Sequence, residues 1–206
     1  MVSAAKAFAK EPPRRPLDDL DAIVEDFQWR YVDRQKTDQV IAYCADADDF
    51  PTAVQRAVEA RDANGKHHNH QSKVDITARR LFGRRIVTRA RRGALPLQDF
   101  DELHDALDQF KPYGIGPVTV YDTAIRIAAF LGIEPESVYM HAGVRQGLRA
   151  MEEALERLGE GPHMRGRWRH DKVPVSQFPP PLNGMKADDV EDILCTYREV
   201  FDGWGR

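Results

Sequence analysis

The sequence predicts an all-α chain, and three observations carry that prediction. Apolar residues recur at three- and four-residue steps along most of its length, the period of an amphipathic helix. Stretches that alternate apolar and polar residues, as a half-buried strand would, are nearly absent. Glycines and prolines gather between the periodic stretches, where they end helices.

A chain of 206 residues is long enough for one compact domain with its own core. Residues 1–16, closing on Pro12-Pro13-Arg14-Arg15-Pro16, carry no sustained apolar period and read as a flexible leader. Residues 17–206 read as a single helical domain. Leu17, Leu20, Ile23, Val24, Phe27 and Tyr31 mark its first helix. Asp18, Asp19 and Asp21 stand in the opening turn, where carboxylates meet the positive end of the helix dipole. A second helix is expected over 36–46, and Phe50-Pro51 opens a third that runs to about Ala63. After the Asn64-Gly65 turn comes a basic helix over about 71–92, with Gly83 as a candidate break. Gly93 to Pro96 interrupts the pattern before an acidic amphipathic helix over Leu97–Phe110. A tight hairpin at 113–117 leads into a helix over 117–131, and another runs from Pro135 to about Leu158. Residues 159–184, rich in Gly, Pro and Arg, read as a long irregular loop, and a last helix covers about 187–202.

Net charge is −3, so the overall balance favours neither nucleic acid nor an anionic membrane. The local balance differs. Between Lys66 and Arg92 lie nine cations and one acid, Asp75. Arg80, Arg84 and Arg91 share one helix face by spacing, and Arg85, Arg89 and Arg92 share another. Phosphate would offset this charge and release counterions. The carboxylates of the acidic helix, Asp99, Asp101, Glu102, Asp105 and Asp108, offer an internal alternative. A second basic cluster, Arg165, Arg167, Arg169, His170 and Lys172, surrounds Trp168 in the long loop.

Cys44 and Cys195 are far apart, sit in apolar helical contexts and read as buried free thiols, which suits a reducing compartment. No stretch approaches the ~20 apolar residues that span a bilayer, and no signal-like run opens the chain. A cytoplasmic protein without a membrane partner is expected. His67, His68 and His70 crowd one turn beside Gln71, yet their spacing matches no ligand pattern and no nearby Cys or acid completes a set, so neither metal nor cofactor is expected.

The strongest local signal is Tyr113-Gly114-Ile115-Gly116-Pro117 between two amphipathic stretches. Glycines allow positive φ and bring bare backbone close to a ligand. Ile115 between them is expected to plug the helix junction. Amides of the hairpin and of the next helix's first turn lack intrahelical acceptors and point at any anion placed there. Pro117 suits the first helical position, and Thr119 adds a hydroxyl.

With Val118-Thr119-Val120 this segment resembles the hairpin of helix-hairpin-helix DNA-binding motifs. The stretch from about 97 to 158 resembles part of the helix-hairpin-helix DNA glycosylase superfamily. There the hairpin, carried here by the helices of about 97–131, is followed by a segment similar to Val138-Tyr139-Met140-His141-Ala142-Gly143-Val144-Arg145. The resemblance implies a glycosylase-like helical scaffold and double-stranded DNA, with or without an extruded base, as partner. It departs from the family at two positions that matter. The catalytic aspartate would fall at Tyr139, whose phenol is a poor substitute for a carboxylate. The lysine of the lyase-type members would fall at Val118, which cannot form a Schiff base.

Three functional readings follow. The first is a DNA-binding protein that holds phosphate with Gly114, Ile115, Gly116 and Thr119 and with Arg79, Arg80, Arg84, Arg85 and Arg89. The second is an enzyme acting on a damaged or modified base through non-standard residues, with Asp122, His141, Tyr139 and Tyr121 as candidates. Asp122 with Arg126 also forms an ordinary i,i+4 pair, and Tyr139 could stack on an unpaired base. The third is a protein-interaction module in which the hairpin only joins helices.

Overall fold

A computed structural model describes residues 16–31, 38–67, 73–160 and 166–205. Within them the chain is mostly helical, in the order α1 (Leu20–Tyr31), α2 (Gln39–Ala45), α3 (Phe50–Glu59), α4 (Ile76–Arg91), α5 (Phe100–Phe110), α6 (Pro117–Leu131), β1 (Ser137–Tyr139), α7 (Ala142–Arg157), β2 (Lys172–Pro174), α8 (Ala187–Thr196) and α9 (Arg198–Gly203).

The first five helices start where an aspartate closes them. Asp19, Asp38, Asp49, Asp75 and Asp99 each accept a hydrogen bond from a first-turn amide, at 2.6 to 3.1 Å. Each satisfies a donor that the helix cannot satisfy itself and places negative charge at the positive end of the dipole. Among the described residues no side chain caps α6, α7, α8 or α9, whose N-cap positions are Gly116, His141, Lys186 and Tyr197.

Apolar burial divides into two clusters. Helices α2 to α6 form the first, around Phe82, Ile86, Leu103, Leu107 and Ile127. Helices α1, α7, α8 and α9 and the strands form the second, around Ile23, Leu148, Met151, Leu182, Ile193 and Phe201. The N-terminal helix thus packs with the C-terminal ones. The Tyr197 hydroxyl donates to Asp26 at 2.7 Å, and Trp204 Nε1 donates to the Leu17 carbonyl at 2.6 Å. At the α7–α8 crossing the backbones nearly touch: a Cβ built on Gly147 would lie 1.8 Å from the Leu194 carbonyl oxygen.

The structure departs from the periodicity in three places. The stretch after Pro135 is not helical at first, because Ser137–Tyr139 pairs antiparallel with Lys172–Pro174. The 159–184 stretch is only partly irregular. It supplies β2 and short 3₁₀ turns at Arg167–Arg169, Val175–Gln177 and Leu182–Gly184, and it buries Val173, Val175, Phe178 and Leu182. The final helix breaks at Tyr197. Helix α4 is continuous through Gly83, whose missing side chain lets α3 approach: a Cβ there would meet Val58 Cγ2 at 3.1 Å. Residues 1–15, the proposed leader, lie outside the described residues, as do His68, His70 and Gln71 of the histidine-rich turn.

Candidate nucleic-acid interface

Helix α5 ends at Phe110, and the chain reverses through Lys111, Pro112, Tyr113 and Gly114 before α6. Gly114 needs its glycine, since its φ is 90°, a conformation that side chains disfavour. The Ile115 amide donates to the Pro112 carbonyl at 3.2 Å, and its side chain is buried. Ile115 is therefore the plug of the junction, and its amide is used internally. Gly116 has φ −87° and ψ 169°, open to any residue, and a Cβ there would meet nothing within 4 Å. Pro117 has no N–H, and the Val120 amide donates back to Gly116. The amides of Val118 and Thr119 are left without an intrahelical or capping acceptor. Thr119 is itself buried, and its carbonyl accepts from Thr123 Oγ1 at 2.7 Å. Tyr113 at the tip is fully exposed.

Helix α4 runs beside this hairpin. A Cβ on Gly114 would lie 3.7 Å from Ala78 Cβ. Ala78, Arg85, Arg89 and Arg92 follow at helical steps along one side of α4. Arg80, Arg84, Arg85, Arg89, Arg91 and Arg92 are exposed, and among the described residues none of them has a carboxylate in ion-pair range. The acidic helix does not neutralise them: four of its carboxylates are committed elsewhere, and exposed Glu102 makes no ion pair with them. Asp99 caps α5, Asp101 and Asp105 pair with Lys172 at 3.1 and 3.4 Å, and Asp108 pairs with Lys111. Arg84, Arg85, Thr88, Arg89 and Arg92 line an open cleft of about 410 Å³ with Ala94 and Phe110.

Arg79 does not belong to this face, contrary to the phosphate-contact expectation. It is 3 % exposed and donates to the Glu59 carbonyl at 2.7 Å, closing the C-terminal end of α3. Phe82, Gly83 and Ile86 lie three, four and seven residues on, so the core period itself places Arg79 inward.

The enzymatic candidates lie on the seam between the two apolar clusters. Tyr139 is 6 % exposed, 4.2 Å from the His104 ring and 5.2 Å from the Tyr121 ring, and its hydroxyl donates to Asp101 at 2.7 Å. Burial first, then the Asp101 hydrogen bond and charge, push its pKa far above that of a free phenol. A ring held this way offers no face to an unpaired base. Tyr121 is buried too, and burial together with the nearby Glu191 raises its pKa well above 10. Neither its hydroxyl nor Glu191 Oε2 completes a hydrogen bond. Asp122 is half-buried, 3.7 Å from Arg126, the helix pair its spacing predicted.

His141 contacts two residues that no spacing in the sequence links to it. Glu191 Oε1 lies 2.8 Å from its Nε2, and Cys195 Sγ lies 3.9 Å from the same nitrogen. Burial alone would lower its pKa, but Cys195 and the closer Glu191 carboxylate outweigh that and push it up to about 10. Burial also raises the pKa of the Glu191 carboxyl, so the imidazole and the carboxyl titrate as one coupled pair. Both partners also share one ring nitrogen, which differs from a relay running through Nδ1 and Nε2. Glu191 and Cys195 were invisible as partners because α8 comes fifty residues later and docks only through the fold. Cys195 is partly exposed, while Cys44 is fully buried as expected, and burial raises its thiol pKa to about 11.

In the second basic cluster, Arg169 lies over the Trp168 ring and Arg145 donates to the Trp168 and His170 carbonyls. Trp168 packs on the second apolar cluster. Among the described residues, no group of three or more His, Cys, Asp and Glu side chains is placed to hold a metal, and no helix is long and apolar enough to cross a membrane. No protein-family model, no curated protein and no solved structure matches the chain.

Proposed function

We propose that this protein binds double-stranded DNA through its phosphate backbone, with the hairpin amides at Val118 and Thr119 and the exposed arginines of α4 as the grip. The observation that carries the reading is the run of exposed arginines on α4, Arg80 and Arg84 on one face and Arg85 and Arg89 on the next, none with a carboxylate partner among the described residues, on the helix whose Ala78 lies against the hairpin at Gly114. Among the described residues five helix starts are closed by aspartate and four are open; of the open ones, that of α6 follows the hairpin that lies against α4 and its uncompensated arginines, which suits an external anion. Against base chemistry, Tyr121 and Tyr139 are buried, and His141 is engaged by Glu191 and Cys195 at its Nε2. Arg79 and the Ile115 side chain support the face from within and make no part of the contact.

The test is fluorescence anisotropy with a labelled duplex over a range of salt. Four phosphate contacts give a slope of log K against log salt of about −3.6. Gly116→Ala is the discriminating variant: the Cβ meets no protein atom, so the thermal midpoint should hold, while a phosphate seated at the α6 start would be pushed away. Salt-independent or absent binding refutes the grip, and salt-independent capture of a protein would favour an interaction module. Duplex affinity unchanged by Gly116→Ala removes the hairpin from the contact. Turnover of duplexes bearing damaged bases, lost in Asp122→Asn, would restore the enzyme reading.

A further inference from the structure

The cleft at the C-terminal half of α4 has a chemistry more selective than a backbone grip needs. Four arginines, Arg84, Arg85, Arg89 and Arg92, line an open space of about 410 Å³, in the range of small-ligand sites. Two of them are pre-positioned. Arg85 donates to the Phe110 carbonyl at 2.8 Å, at the negative end of α5, and Arg89 lies 4.5 Å over the Phe110 ring. Thr88 commits its hydroxyl proton to the Arg84 carbonyl at 2.8 Å. The side-chain donors facing the cleft are therefore guanidinium N–H groups, and no carboxylate faces them among the described residues. Its ligand must be rich in acceptors and carry more than one negative charge. An internal phosphodiester carries a single charge, fewer than four arginines around one cleft can match.

We propose that this cleft receives a compact, multiply charged phosphate: the phosphomonoester at a nucleic-acid strand end, or the phosphate chain of a free nucleotide. The inference rests on the backbone-grip reading for its strand-end form and stands without it for the free-nucleotide form. A guanidinium fork matches two phosphate oxygens at once, and a dianionic phosphate offers three acceptors where a diester offers two.

The experiment compares duplexes ending in 5′-phosphate, 3′-phosphate or hydroxyl at one salt concentration, together with pyrophosphate and a nucleoside triphosphate as competitors. Wild-type protein is tested beside Arg84→Gln, Arg89→Gln and the charge-matched control Arg149→Gln on α7, with circular dichroism melts to establish folding. A phosphate-ended duplex is expected to bind at least about tenfold tighter than a hydroxyl-ended one. That preference should vanish in Arg84→Gln and Arg89→Gln and survive in Arg149→Gln. Pyrophosphate or triphosphate binding lost in the same two variants, with no end preference, assigns the free nucleotide and equally supports the cleft. Salt-dependent duplex binding with neither an end preference nor competition overturns this inference and leaves the grip intact. Free-nucleotide binding without duplex affinity does the reverse. A phosphate preference that persists in folded Arg84→Gln and Arg89→Gln overturns it too.

Discussion

Replacing Gly147 by alanine would add one methyl group where helices α7 and α8 cross. Its Cβ would lie 1.8 Å from the Leu194 carbonyl oxygen and 2.5 Å from the Leu194 carbonyl carbon. Both are backbone atoms, so no rotamer change relieves the contact. Ordinary separation requires the two helices to part by about 1.5 Å, opening the packing of Leu148, Met151, Ile193 and Leu194, all fully buried. Overpacking of this kind costs about 1–3 kcal/mol or more, and parting the crossing adds the loss of those contacts. In a helix interior the same change otherwise gains about 1 kcal/mol, so the sign of the result is informative. The expected net loss is about 3 kcal/mol, which for a chain of this size lowers the thermal midpoint by roughly 6–12 °C. Gly83→Ala is the companion. Its Cβ meets only Val58 side-chain atoms at 3.1 Å and beyond, and these can turn aside. That variant should stay within about 1 kcal/mol of the parent. Thermal melts followed by circular dichroism measure both, and a Gly147→Ala protein as stable as the parent would refute the crossing geometry. Because α8 carries Glu191 and Cys195, the same displacement should also loosen their contacts with His141.

Three further outcomes are expected. Arg79→Met should destabilise the fold by about 1–3 kcal/mol, since it leaves the C-terminal carbonyls of α3 unsatisfied; its salt slope for DNA should match the parent's, and a flattened slope would return Arg79 to the interface. Tyr139→Phe removes the hydroxyl that donates to Asp101 and should cost about 1.5 kcal/mol in urea unfolding, with an unchanged midpoint showing that the bond is not formed in solution. The pKa of His141 is raised in the folded state from 6.5 to about 10, so its contribution is complete below about pH 6.5 and declines as pH rises toward 10. Stability measured from pH 6.5 to 8.5 should therefore fall more steeply in the parent than in Glu191→Gln, and equal slopes would remove the Glu191 pairing.

Much of the local organisation could be read from the chain because its causes are local. Helical period and Gly114 at the hairpin act within a few residues, and each appears where the pattern placed it; the caps at Asp38, Asp49, Asp75 and Asp99 are equally local, although the apolar period alone passes over them. Ile115 as a plug and Asp122 beside Arg126 belong to the same class. The errors share one origin, which is long-range packing. Tyr139 reads as a catalytic or base-stacking candidate near the start of a helix until β2 pairs with its strand and its hydroxyl donates to Asp101 of α5. His141 reads as a catalytic candidate in the same helix until α8 brings Glu191 and Cys195 to it. Arg79 reads as one more cation in a basic run, although its spacing to Phe82 and Ile86 already pointed inward.

By itself, then, the sequence determined the helical class, the approximate course of most helices, the hairpin and the strongly positive character of α4, since each depends on neighbours along the chain. Only the tertiary structure decided which charges remain uncompensated. The acids of α5 lie close in sequence to the arginines of α4, and charge alone would have paired them. Folding instead turns Asp101 and Asp105 toward Lys172 on the strand pair and uses Asp99 as a helix cap. That choice leaves the arginines exposed around Phe110, with no carboxylate of α5 in ion-pair range of them among the described residues.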